Sequence, residues 1–185
     1  IRTSGSTDGR GRLVGLSLDA LLASARATLV RLGGPGRWLT SLPIEAVGGF
    51  QVVLRSVVAG LPPAVYTGHG FDPDRFARAA AMLDGAPRRY LSLVPTQLHR
   101  ALGSAPAVLA SFDAVLVGGT ALAPQLAARA LACGVPVVTT YGSTETAGGC
   151  VYDGVPLDGV RVRLSGDGRI HIGGPTRATR YLDAA

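Results

Sequence analysis

Residues 137–146, Val137-Val138-Thr139-Thr140-Tyr141-Gly142-Ser143-Thr144-Glu145-Thr146, place a phenol, several hydroxyls and one carboxylate directly behind a β-branched run. The run rises out of Pro136 and reads as a buried parallel strand that Gly142 breaks. In an open α/β sheet, ligands bind outside the carboxyl ends of such strands. The residue types there suit a magnesium nucleotide: Tyr141 can stack on a base, Thr144 can reach a phosphate oxygen, and Glu145 can hold a hard cation. The plainer alternative is a strand-to-helix turn, with Ser143 capping the next helix and Glu145 facing water.

A second stretch has matching chemistry. Thr3-Ser4-Gly5-Ser6-Thr7-Asp8-Gly9-Arg10-Gly11-Arg12 combines glycines, hydroxyls and arginines. Backbone N–H groups in such a loop can close on an anion. The Walker spacing is absent, and a flexible linker has the same composition.

Other chemistries find little support. His69, His99 and His171 do not cluster with acidic residues, and no serine stands in a G-x-S-x-G elbow. Cys133 and Cys150 have no partner at metal-ligand spacing; Cys133 reads as a buried small hydrophobe, and a reducing cytoplasm is the expected setting. The net charge of +6 comes with no lysine, so all 18 basic residues are arginines. They are scattered; Arg26, Arg55, Arg78, Arg100 and Arg129 lie singly on helical segments and read as solvated faces, not as a nucleic-acid footprint. No apolar run reaches the roughly 18 residues that span a bilayer. The first residues lack the apolar core of a signal peptide, and the missing initiator Met points to a processed or fragmentary chain.

The elements that position these residues alternate. Ser17 caps a helix whose inward face is Leu18, Leu21, Leu22, Ala25, Leu29 and Leu32. A strand over 37–42, a helix over 46–58 and a short strand at 64–67 follow. Asp72-Pro73 opens a helix with Phe76, Ala79, Ala80 and Leu83 on one face. A strand over 90–94 leads into a short helix, then a buried strand over 114–117 that ends in Gly118-Gly119. The helix over 123–133 turns Leu126, Ala127, Ala130 and Leu131 inward. This order predicts an α/β fold, a mostly parallel sheet flanked by helices. Beyond it, alternation in 160–164 and 169–172 around Ser165-Gly166-Asp167-Gly168 predicts a hairpin. The expected organisation is therefore an α/β nucleotide-binding core over 1–149 and a small β-rich segment over 150–185.

Taken together, Thr3–Thr7, Trp38–Pro43, Gly49-Phe50-Gln51-Val52, Val94-Pro95-Thr96, Gly118–Leu122, Tyr141–Glu145 and Ile172–Thr176 resemble the adenylate-forming acyl-CoA synthetase superfamily. Within it, the chain looks most like the o-succinylbenzoate–CoA ligases of menaquinone biosynthesis. The resemblance covers nearly all of this chain but only the middle of such an enzyme. It implies that Thr3, Ser4, Gly5, Ser6 and Thr7 hold the pyrophosphate end of ATP and that Gly118 and Gly119 line the adenine and acyl pocket. It puts Tyr141, with Gly142 behind it, on adenine, Thr144 at the phosphates and Glu145 on Mg2+.

The implied reaction is AMP-forming. A carboxylic acid attacks the α-phosphorus of Mg-ATP, pyrophosphate leaves, and CoA captures the acyl-adenylate. Departures from the pattern are visible. Asp8-Gly9-Arg10-Gly11-Arg12 replaces the family's Gly-x-Pro-Lys, and Ile44-Glu45-Ala46 stands where a histidine often follows Leu-Pro. The ribose-binding Asp motif and the C-terminal lid domain with its adenylation lysine have no counterpart here, so a lid domain or partner chain is expected to supply them. Two alternatives to an o-succinylbenzoate ligase stay open: a ligase for another fatty or aryl acid, and a non-catalytic, degenerate nucleotide-binding fragment.

Overall fold

A seven-stranded sheet carries the molecule, and alternating residues along its strands feed two separate cores. The computed structural model describes residues 1–3, 11–67 and 71–182. In chain order the elements are β1 (Val14–Gly15), α1 (Leu18–Arg31), β2 (Arg37–Thr40), α2 (Val47–Ala59), β3 (Ala64–Val65), α3 (Pro73–Ala81), β4 (Arg89–Leu93), α4 (Pro95–Ser104), α5 (Pro106–Ala110), β5 (Ala114–Val117), α6 (Pro124–Ala132) and β6 (Val137–Ser143). A single 3-10 turn (Thr144–Thr146) then leads to β7 (Gly148–Tyr152), β8 (Val155–Pro156), β9 (Arg161–Leu164), β10 (Ile170–Gly173) and β11 (Arg180–Tyr181).

The central sheet has the order β3-β2-β4-β5-β6-β7-β8. It is parallel from β3 to β6 and antiparallel from β6 to β8. Period-2 alternation sends Leu39, Leu91, Leu93, Val115 and Val117 to the face covered by α3–α6. Trp38, Tyr90, Ala114 and Leu116 go to the other face, where they join Leu29, Val52, Cys150 and Tyr152. Each fully buried large side chain of this kind contributes about 1.5–3 kcal/mol.

The fold is α/β, as the alternation predicts, and the hairpin β9–β10 forms where expected. Ser17 caps α1 by accepting from the Ala20 N–H at 3.1 Å. Several local expectations change. The buried face of α1 is Ala20, Ser24, Ala25, Thr28 and Leu29, and Leu18 is exposed. Ser24 and Thr28 are inside because their hydroxyls are bonded, to the Ala147 carbonyl at 3.0 Å and to the Tyr152 phenol at 3.0 Å. On α6, Ala130 is buried and Leu131 is exposed. The expected burial of the 137–140 strand is only partial, because β6 joins the parallel and antiparallel halves of the sheet and its end opens onto a cleft. Cys133 is half-buried, not buried; the two cysteines are unpaired. The short helix α5, started by Pro106, is an addition to the expected elements.

Residue 150 lies inside β7, paired with β6. The chain leaves the central sheet only after β8, and β11 returns to pair with β1 near the start of the described structure. Among the described residues, no helix is long and apolar enough to cross a membrane.

Candidate active site

The carboxyl ends of β4, β5 and β6 open into a cleft of about 770 Å³. Its lining brings together Thr3, Gly118, Gly119, Gly142, Thr144 and Glu145, which lie far apart in sequence. Among the described residues, Glu145 is the only acidic one in that lining, against three arginines, Arg2, Arg12 and Arg55. A cleft with that balance attracts an anion and gives a cation one carboxylate to hold.

The turn bearing Glu145 is fastened at several points. The Ser143 N–H donates to the Thr146 hydroxyl at 2.8 Å. Ala147 adopts φ 54°, and its carbonyl accepts from Ser24 of α1 and, at 2.9 Å, from the Gln51 amide of α2. No helix follows; β7 folds straight back. Ser143 therefore opens a 3-10 turn rather than capping an α-helix, because two α1 and α2 side chains hold the chain reversal at Ala147.

The glycines have steric reasons. A Cβ on Gly118 would lie 2.2 Å from Thr140 Oγ1 and 2.9 Å from the Thr140 carbonyl oxygen. One on Gly142 would lie 2.1 Å from the Gly148 carbonyl oxygen. Both clashes involve backbone atoms, so only glycine lets the strand ends approach at the cleft.

Glu145 accepts a hydrogen bond from the Tyr181 phenol at 2.8 Å. Burial pushes its pKa up, but hydrogen bonds from Tyr181, its own backbone and Ser143, with the Arg12 charge, outweigh this and hold the carboxyl below its ordinary value. Thr3 pairs with Arg12. Its N–H donates to the Arg12 carbonyl at 2.9 Å, and its hydroxyl accepts from the Arg12 N–H at 2.8 Å. Ser4, Gly5, Ser6 and Thr7 lie outside the described residues. Tyr141 does not line the cleft; it is exposed between two residues that do, Thr140 and Gly142.

Two further residues shape the cleft. Tyr181 sits on a two-residue strand with no motif of its own. Arg55, which the sequence places on a solvated helix face, is 4% exposed. Its Nη2 donates to the Tyr152 phenol at 3.2 Å, its Cζ lies 5.0 Å from the Trp38 ring centroid, and its Nε has no partner among the described residues. Burial pushes its pKa down, and Tyr152 opposes that. Arg55 is the one charged residue of α2, set between Val52-Val53-Leu54 and Ser56-Val57-Val58.

The carboxyl edge of the parallel half of the sheet thus carries a glycine-lined cleft with arginines in its wall, and the chain belongs to the AMP-binding enzyme family, which residues 1–182 match. The relatives it resembles are acid–CoA ligases. It is 48% identical over 184 residues to the probable 2-succinylbenzoate–CoA ligase of Mycobacterium tuberculosis strain H37Rv, covering 98% of this chain and 48% of that protein. The 2-succinylbenzoate–CoA ligase of Escherichia coli K12 is 34% identical over 172 residues, covering 88% of this chain and 35% of that one. The fold matches O-succinylbenzoate Coenzyme A Synthetase from Bacillus subtilis, solved in complex with ATP and magnesium ion, with a TM-score of 0.87 at 23% identity over 100% of this chain and 42% of that chain. The chain thus spans about half the length of the Mycobacterium tuberculosis relative and about a third of the Escherichia coli one.

Proposed function

We propose that this chain is the Mg-ATP- and acid-binding core of an AMP-forming acid–CoA ligase, with 2-succinylbenzoate as the acid. The observation that carries the reading is the single cleft holding the loop base at Thr3, the Gly118-Gly119 edge and the Gly142–Glu145 turn together. The names of the relatives point to the same reaction.

In this reading the 3–7 loop and Arg12 receive the β- and γ-phosphates, and Gly118, Gly119 and Gly142 leave room for the adenosine. Tyr141 borders it, and Thr144 bonds a phosphate oxygen. Glu145 suits a magnesium ion shared with the phosphates: no group of three or more His, Cys, Asp and Glu residues among the described ones could form a closed metal cage, and magnesium on a nucleotide takes one or two carboxylates. When bound, the ion neutralises phosphate charge and favours departure of pyrophosphate. The chain's own residues bind, align and exclude water, bringing the acid's carboxylate in line with the α-phosphorus.

Arg55 supports the choice of acid. 2-Succinylbenzoate is a dicarboxylate: one carboxylate reacts, and the other needs a cation in the pocket. Arg55 lines the cleft, buried, with no carboxylate within bonding distance among the described residues. A planar guanidinium with an unpartnered N–H matches a benzoate carboxylate well.

CoA is the acceptor in this reading, and a lid domain or partner chain supplies the adenylation lysine that the sequence does not contain. The unpaired cysteines support a reducing, cytoplasmic setting. Calorimetric titration of the 185-residue chain with ATP, with and without magnesium, tests the nucleotide reading. Binding at sub-millimolar ATP that tightens with magnesium is expected; no heat and no thermal shift at millimolar Mg-ATP would reject it. Pyrophosphate release by this chain with 2-succinylbenzoate and ATP is expected near background, far below the ~1–1,000 per second of typical enzymes.

A further inference from the structure

We propose that Tyr181 is a positioning residue that sets the Glu145 carboxylate for the magnesium ion of the nucleotide. The inference rests on the Mg-ATP reading of the cleft.

Glu145 projects from a one-turn segment, so its side chain has rotamers to lose when a cation is bound. Tyr181 removes that freedom beforehand by donating its phenolic hydrogen to Oε1 at 2.8 Å. A carboxylate fixed in this way offers its charge in one direction, and partners of this kind sustain metal affinity well beyond their own contact.

Tyr181 is itself held from three directions. The Arg12 guanidinium lies 3.5 Å above its ring centroid, a cation–π contact that keeps the ring from swinging away. On one side its strand pairs with β1, Val14 opposite Tyr181, and the Leu182 and Thr179 N–H groups donate to the Leu13 and Gly15 carbonyls at 2.8 and 2.9 Å. On the other side the Ala178 N–H donates to the Glu145 carbonyl at 2.7 Å. The segment thus bonds both to the residues that follow the glycine loop and to the backbone of the residue whose side chain it orients.

Packing does not account for the hydroxyl. Tyr181 is 41% exposed and belongs to neither core, so a phenylalanine would fill the same space. Three residues, Arg12, Glu145 and Tyr181, line the same cleft. Among the described residues, the phenol's hydrogen-bond partner is Glu145, the one carboxylate of that lining.

The test compares Tyr181→Phe, Glu145→Gln and the double variant in the 185-residue chain, each titrated with ATP in the presence and absence of magnesium. Tyr181→Phe keeps the ring under Arg12 and removes only the hydroxyl. It is expected to lower Mg-ATP affinity roughly tenfold, leave metal-free ATP affinity within about twofold and leave the thermal midpoint unchanged. In the Glu145→Gln background the same change is expected to have no further effect on magnesium dependence, since Tyr181 acts through Glu145. Wild-type magnesium dependence in Tyr181→Phe, or equal losses with and without Glu145, overturns the inference while the nucleotide reading stands. A wild-type chain whose ATP affinity ignores magnesium overturns the Mg-ATP reading and this inference together.

Discussion

The Arg55 guanidinium, buried beside the cleft, donates to the Tyr152 phenol at 3.2 Å and meets no carboxylate among the described residues. The phenol in turn pairs with Thr28 at 3.0 Å, whose hydroxyl donates to the Ser24 carbonyl at 2.9 Å. The chain of donors therefore runs Arg55, Tyr152, Thr28, Ser24, and it orients the cation without neutralising it. A charge buried in this way costs stability until an anion arrives.

Replacing it tests that point. Arg55→Met keeps the length of the side chain and removes the charge. Thermal stability is expected to hold or rise, because an uncompensated buried cation is lost. Affinity for 2-succinylbenzoate is expected to fall by about 2 kcal/mol or more, the usual loss when one side of a desolvated charge pair is truncated. An analogue without the aromatic carboxylate should bind both proteins alike. Calorimetry with the two acids and a melting curve read all three outcomes; unchanged affinity for the dicarboxylate would remove Arg55 from acid recognition.

Glu145→Gln separates metal binding from structure. The nucleotide should bind about tenfold more weakly with magnesium and nearly unchanged without it. If Glu145 only supports its turn, stability falls by a few tenths to about 1 kcal/mol and the magnesium dependence of ATP binding stays at the wild-type level.

Gly118→Ala should disturb the cleft by geometry alone. The added methyl meets the Thr140 backbone oxygen at 2.9 Å, which cannot rotate away, so β5 and β6 must separate at their ends. A destabilisation of about 1–3 kcal/mol, typical of overpacking, is expected in urea melts, with weaker ATP binding. Unchanged stability and affinity would mean that the strand ends adjust freely.

Acid stability offers a check far from the cleft. Asp72 caps α3, accepting from the Arg75 N–H at 2.9 Å. That backbone bond holds its pKa below the ordinary value; slight burial opposes this, and the Arg75 and Arg78 charges reinforce it. A carboxyl lowered on folding contributes stability that is complete above its unfolded pKa of about 3.9 and is lost as pH falls through the folded value. Asp72→Ser keeps a capping oxygen but no charge. Its melting temperature should therefore depend less on pH below about 4 than that of the wild type.

Composition and periodicity already specify the fold class, most strand and helix positions, the β9–β10 hairpin and the Ser17 cap, because local spacing and capping chemistry dictate them. The order of the motifs also carries the family resemblance. Spacing cannot say which face of a helix is wanted when polar side chains find buried partners: Ser24 and Thr28 displace Leu18 from the expected face of α1 through bonds to residues over a hundred positions away. For the same reason Arg55 reads as a surface arginine until α2 is packed against β7 and Tyr152 meets it. Glu145 is legible as a carboxylate after a strand, whereas its Tyr181 partner is not, since only the return of β11 to β1 brings residue 181 across to residue 145. Local sequence determines which groups are present; long-range pairing decides which of them face one another in the cleft.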